Sequence, residues 1–197
     1  KQPAIRGIDF LAYNTSMDWR DHAPERCIEW VNKYHGIATV TWHWNVPTEK
    51  GSNETAFYVE STGNTPFTTF SISKALEDGT WENEKLLADI DLIANELLKL
   101  KEADVPILWR PLHEAEGGWF WWGAANCTAD QYNDLWKMTY NHMVNEKKLE
   151  GLLWAVSPNS LPADFESWES RYPGDEYVDI VGLDCYCSTY VPQETAL

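Results

Sequence analysis

An α/β fold built on a parallel sheet is predicted by three observations. Five short apolar runs of strand length punctuate the chain: Ala4 to Phe10, Gly36 to Trp42, Val105 to Trp109, Gly151 to Val156 and Val178 to Leu183. Segments of helical period separate several of these runs, the alternation from which parallel sheets are built. Each run also ends in a polar side chain: Asp9, His43, Arg110, Ser157 and Asp184. In parallel α/β folds the C-terminal ends of the strands form the ligand-binding edge, so five strands direct their chemistry to one place.

The elements follow in order. In the first run, extended parity puts Gly7 and Asp9 on one face. A helix begins at Pro24, whose fixed φ suits a first helical turn, and continues through Ile28 and Val31. The second run places Thr39, Thr41 and His43 on a common face. From Asn45 to Thr80 the chain turns polar, with Gly51-Ser52-Asn53, Gly63-Asn64-Thr65-Pro66 and Asp78-Gly79-Thr80 as turn chemistry, and reads as a long functional loop. A helix over Glu82 to Lys101 carries Leu86, Ile90, Ile93, Leu97 and Leu100 as one apolar stripe. After the third run, Thr128 and Gln131 form a capping box that opens a helix through Tyr132, Leu135 and Trp136. The last run sets Ile180, Gly182, Asp184 and Tyr186 on one face.

Composition narrows the function. The 197 residues include 31 acidic and 15 basic side chains, a formal charge of −16 that repels a phosphate backbone or an anionic membrane surface. Neither nucleic acid nor membrane is expected as a partner. No apolar run approaches the ~20 residues of a membrane helix. The chain holds 12 Trp, 9 Tyr and 6 Phe, and flat aromatic faces suit stacking on sugar rings, so a neutral polysaccharide is the expected partner. The alternative use of those rings is as core.

The densest chemistry lies between Trp109 and Gly123, where Arg110, His113, Glu114 and four Trp surround one strand exit. A carboxyl group among aromatic rings has its charged form desolvated, which moves its pKa toward the range of a general acid. Glu114 is therefore the candidate acid of a glycoside cleavage, with a structural ion pair to Arg110 as the alternative. Glu116 competes with it, but its glycine neighbours suggest an exposed loop. Four cysteines, Cys27, Cys127, Cys185 and Cys187, allow three complete pairings, and strand parity would point the last two to opposite faces. Sequons at Asn14, Asn53 and Asn126 lean toward secretion. No spacing of His or Cys resembles a zinc site, and neither metal nor cofactor is expected.

The segment from Trp109 to Gly123 resembles the acid/base region of glycoside hydrolase family 26, of the form W-R-P-L-H-E-x-x-G-x-W-F-W-W-G, at every fixed position. The similarity extends to Thr41-Trp42-His43, to Ser157-Pro158-Asn159 and to the stretch from Val178 to Tyr186. This resemblance implies a (β/α)8 barrel and a retaining mechanism, with Glu114 as acid/base. It implies that His113 positions the sugar or orients the nucleophile, that Trp119 offers a stacking face and that Tyr186 hydrogen-bonds the nucleophile. Asp184 and His43 match acidic and imidazole positions lining the site; Arg110 and Trp122 belong to the matched segment as binding or supporting groups.

In the family the acid/base strand is the fourth of eight, whereas the run ending at Arg110 is the third of this chain. The expectation is thus one partial catalytic domain over residues 1–197: five strands of an incomplete barrel, one strand preceding them and two following. The nucleophile, a glutamate of the seventh strand, is expected beyond Leu197, and these residues alone are expected to be inactive. The leading reading is an extracellular endo-β-1,4-mannanase acting on mannan, galactomannan or glucomannan. Competing readings are a relative that cleaves mixed-linkage β-glucan or β-1,3-xylan, and a non-catalytic carbohydrate-binding protein.

Overall fold

The computed structural model describes residues 3–17, 19–60, 63–159 and 165–185. Five parallel strands form its main sheet: β1 (Ile5–Asp9), β2 (Ile37–Thr41), β5 (Ile107–Arg110), β6 (Leu152–Val156) and β7 (Ile180–Val181). Their spatial order equals their order in the chain, each pairing in parallel with the next. These are the five predicted runs: four lie within their expected bounds, β5 starts later and extends one residue further to Arg110, and the last is reduced to two residues.

Helices α1 (Ala23–Tyr34), α3 (Trp81–Glu102), α4 (Ala129–Asn141) and α5 (Phe165–Ser170) fall between them. All five residues of the predicted α3 stripe are fully buried. Thr80 caps this helix through Asn83 N–H, and Thr128 and Gln131 make the reciprocal capping box on α4. A π-helical turn, His142–Glu146, prolongs α4.

The polar stretch after β2 is more structured than its sequence suggests. Val46–Pro47 (β3) pairs antiparallel with Thr55–Ala56 (β4), and Ile72–Ala75 (α2) adds one helical turn before α3. Strands of two residues carry no readable alternation, which is why the sequence shows only turn chemistry there. Residues 57–59 then lie against the loop after β5: Val59 N–H donates to Trp119 C=O (3.0 Å) and Trp121 N–H to Phe57 C=O (3.1 Å).

Sheet register separates two kinds of layer. Val40, Trp109 and Trp154 align across β2, β5 and β6 and are buried beneath the helices. On the opposite face Asp9, Thr41 and Arg110 align across β1, β2 and β5 at the C-terminal edge. Strand parity does this, since the two sets occupy alternate positions.

Most of the tryptophans serve the core. Trp42, Trp44, Trp109, Trp121, Trp122 and Trp136 are all under 2% exposed. All but Trp109, whose buried indole N–H has no hydrogen-bond partner among the described residues, use that group as a pin. Trp42 donates to Tyr13 C=O (3.1 Å), Trp121 to Trp44 C=O (2.7 Å) and Trp122 to His113 C=O (2.8 Å). Trp44 donates instead to Asp89 Oδ2 (3.1 Å), a fully buried carboxylate on α3. Asp89 Oδ1 accepts from Thr15 N–H (2.7 Å), Thr15 Oγ1 (2.7 Å) and Lys85 Nζ (2.9 Å), so α3 is tied to the loops after β1 and β2.

Among the cysteines, Cys27 and Cys127 are buried free thiols, and Cys185 is disulfide-bonded. Cys185 lies past the end of β7, where the backbone has left the strand, so the parity argument against a Cys185–Cys187 bridge loses its basis; Cys187 itself is outside the described residues.

Replacing Asp89 by alanine would leave Lys85 without its buried counter-charge and three further donors without an acceptor. Breaking a buried ion pair in this way costs about 3–5 kcal/mol. Urea denaturation of the D89A variant should show a loss of that size, and a loss below about 1 kcal/mol would contradict the role assigned to this carboxylate.

Candidate active site

The residues that end β5 take an unusual path. Leu112 (φ 50°) and Glu114 (φ 55°) both adopt the left-handed conformation, which non-glycine residues occupy at a cost of about 1–3 kcal/mol each. Four contacts enforce it. Tyr132 Oη donates to Leu112 C=O (2.9 Å), Trp122 Nε1 to His113 C=O (2.8 Å), and Glu114 N–H to Ser157 C=O (2.8 Å). The fourth, Trp119 Nε1 to Glu114 Oε2 (3.1 Å), holds the carboxyl group itself.

Glu114 is 7% exposed. Burial raises its pKa above the usual carboxylate range, and the nearby Asp184 charge adds to this; the Trp119 hydrogen bond, Arg110 and His43 oppose it. The alternative reading, an ion pair with Arg110, is not what forms. Arg110 is committed to Asp184, with which it makes a salt bridge, and to Ser157 Oγ (3.1 Å). That leaves the Glu114 carboxyl free to exchange a proton.

His43 and His113 meet edge to face, with ring centroids 4.6 Å apart and Nε2 atoms 3.3 Å apart. His113 is buried, and its other nitrogen lies 3.2 Å from Thr41 Oγ1. Desolvation, helped by the charges of His43 and Arg110, lowers its pKa to about 2, so it is neutral at ordinary pH. His43 is the more open ring, and its Nδ1 lies 2.5 Å from Asp9 Oδ2. Asp9 Oδ1 also accepts from the His43 backbone N–H (3.2 Å). Phe57 and Phe120 wall this pair, at 4.9 and 5.6 Å from the His43 ring.

Of the residues singled out in the sequence, Glu114, His113, His43, Arg110, Asp184 and Trp119 are brought together at the strand ends. Trp119 is 37% exposed and can present a ring face to a ligand, whereas Trp122 is fully buried beneath His113 and acts as support. Tyr186 lies outside the described residues. The expectation of an exposed Glu116 is corrected: this side chain is partly buried, its pKa is raised by burial, and Oε2 accepts from Asn159 N–H (3.2 Å). It fastens the exit of β6 to the loop after β5. Asp9, read from the sequence as a strand exit and no more, is a member of the cluster; a carboxylate next to the last residue of the first apolar run is the signal for it.

The family model for glycosyl hydrolase family 26 matches residues 1–196. Mannan endo-1,4-beta-mannosidase B of Piromyces sp is 38% identical over 203 residues, an alignment that covers 100% of this chain and 32% of the relative. Mannan endo-1,4-beta-mannosidase of Thermothelomyces thermophilus is 36% identical and covers 99% of this chain and 39% of the relative. Among solved structures, a ruminal endo-beta-1,4-mannanase of the same family superposes with a TM-score of 0.80 at 38% identity, covering 93% of this chain and 39% of that one. A Podospora anserina beta-(1,4)-mannanase gives 0.76 at 36% identity, with the same coverage. The chain therefore spans about a third of the length of the curated relatives it matches.

A raised carboxyl pKa has a sign that stability measurements can read. Because the folded state holds the Glu114 proton more tightly than the unfolded chain, where a glutamate titrates near about 4.3, ionisation weakens the fold as pH rises from the unfolded toward the folded value. Glu114→Gln cannot ionise. Its melting temperature should exceed that of the wild type at neutral pH, and the difference should shrink on going to about pH 4; a gain that is the same at both pH values would refute the assigned shift.

Proposed function

The chain belongs to glycosyl hydrolase family 26, and from that membership we propose that it is part of a retaining endo-β-1,4-mannanase in which Glu114 is the general acid/base. The observation that carries this reading is the Glu114 carboxyl group: buried, raised in pKa, hydrogen-bonded by Trp119 and left unpaired by Arg110 at the ligand-binding edge of a (β/α)8 sheet. Protonated, it donates to the glycosidic oxygen as the bond to the leaving sugar breaks. A second carboxylate attacks the anomeric carbon from about 5 Å across the site, and Glu114 then takes a proton from the water that hydrolyses the covalent intermediate.

Asp184 does not serve as that nucleophile in this reading, because its carboxylate is engaged by Arg110. The nucleophilic glutamate is assigned to sequence beyond Leu197. Trp119 supplies the stacking face for a mannose unit, and the Arg110–Asp184 pair and His43 line the floor beneath it. The substrates are β-1,4-linked mannans, in keeping with the names of the Piromyces and Thermothelomyces relatives. An extracellular setting is supported by the disulfide at Cys185 and the exposed sequon asparagine Asn53; recovery of the activity from cells rather than culture medium would contradict it.

The test is product analysis by the full-length enzyme on mannan, galactomannan, barley β-glucan and xylan, alongside its Glu114→Gln variant. Release of manno-oligosaccharides from internal bonds is expected, with a fall of about 10²–10⁴-fold in turnover for the variant, the usual contribution of general acid–base catalysis. Unchanged turnover in the variant refutes the acid/base assignment. Binding to mannan without any sugar release by the wild type would make the protein a carbohydrate-binding module instead.

A further inference from the structure

Four polar contacts run in one line from β1 to β5. Asp9 Oδ2 lies 2.5 Å from His43 Nδ1, His43 Nε2 lies 3.3 Å from His113 Nε2, His113 Nδ1 lies 3.2 Å from Thr41 Oγ1, and Thr41 Oγ1 lies 3.1 Å from Arg110 C=O. Both ends of this line are acceptors, a carboxylate and a backbone carbonyl. Every hydrogen bond needs its own proton, so closing all four requires four. Two neutral imidazoles and one hydroxyl hold three.

The fourth proton has a defined place. Thr41 has a single O–H, and its use on the Arg110 carbonyl obliges His113 to donate from Nδ1 and therefore to accept at Nε2. That obliges His43 to donate from Nε2, and the remaining proton lies in the short contact between His43 Nδ1 and Asp9. An imidazole is a stronger base than a carboxylate, so the proton belongs to the ring. Burial argues the same way, since His113 is 3% exposed and flanked by Arg110, whereas His43 is partly open and faces a carboxylate.

We infer that Asp9 holds His43 as an imidazolium, and that Asp9 and Thr41 are positioning residues which together set the tautomer of His113 immediately before the acid/base carboxyl. His43 faces the Asp9 carboxylate from β1 and acts on Glu114, which also feels Arg110 at the end of β5 and Asp184 after β7; His113, Phe57 and Phe120 pack against its ring. A cation there favours the ionised form of Glu114 and so offsets part of what burial does to it. If the fourth proton leaves, one of the four bonds must open.

The experiment is long-range ¹H–¹⁵N correlation spectroscopy of the histidine rings in full-length ¹⁵N-histidine-labelled enzyme at neutral pH, with each ring assigned by its loss in a His→Gln variant. His43 should carry protons on both nitrogens and His113 on Nδ1 alone. In Asp9→Asn, which keeps the shape and whose amide NH2 supplies the fourth proton by donating to His43 Nδ1, His43 should retain one ring proton. Thr41→Val gives a different signature: the line shortens to two bonds, two protons suffice, and His113 should switch to its Nε2–H form while His43 becomes neutral. A singly protonated His43 in the wild type overturns the inference, as does a doubly protonated ring that survives both substitutions. Should Asp9→Asn fail to fold, Thr41→Val, near-isosteric and β-branched at a strand end, decides alone. None of these readouts depends on which polysaccharide the enzyme cleaves.

Discussion

The left-handed backbone at Leu112 and Glu114 is the constraint around which the rest of the structure is organised. Such a path is unstable on its own, and it persists because packing and hydrogen bonding overdetermine it. The carbonyls of Leu112 and His113 and the amide of Glu114 are each held by a partner from elsewhere in the chain: Tyr132 on α4, Trp122 in the following loop and Ser157 after β6. These anchors act together, and with them the Glu114 carboxyl group is held at the strand ends. Three aromatic side chains, Tyr132, Trp122 and Trp119, thus hold this one peptide segment through their polar atoms.

That changes the meaning of the tryptophan count. Twelve indoles suggest a surface lined for sugars, yet six are under 2% exposed and several act through the ring N–H as much as through the ring face. Trp44 and Trp121 join Asp89 on α3 to the loop after β5, and Trp122 continues the connection to the His113 carbonyl. The helix layer is in this way coupled through buried hydrogen bonds to the peptide that carries Glu114. Trp119 is the indole of this loop that remains accessible.

Local signals made much of this readable in the sequence. The α3 stripe, the capping box of α4 and the polar strand exits all depend on neighbours a few residues apart, and each appears where its pattern lies. Glu114 was legible for the same reason, because its environment of Arg110, His113 and the tryptophans is contiguous in the chain. Relations across distance were not legible. Asp9 and His43 are 34 residues apart and meet through the register of β1 on β2, which no local pattern encodes. Glu116 looked exposed because glycines follow it, but its partner, the Asn159 amide, is 43 residues away. The hairpin of β3 and β4 escaped because two-residue strands have no period.

The alignment of Asp9, Thr41 and Arg110 across three strands also bears on how the chain avoids wrong structures. A slip of β1 or β5 by one residue would exchange the faces of every side chain on that strand. It would drive an aspartate or an arginine into the apolar layer beneath the helices, where an unpaired charge is costly. Parallel pairing between distant segments is slow and open to error, and here the penalty for an error falls on the same residues that line the candidate site. The polar edge therefore specifies the frame of the sheet: one assembled a residue out of register cannot be both compact and well solvated.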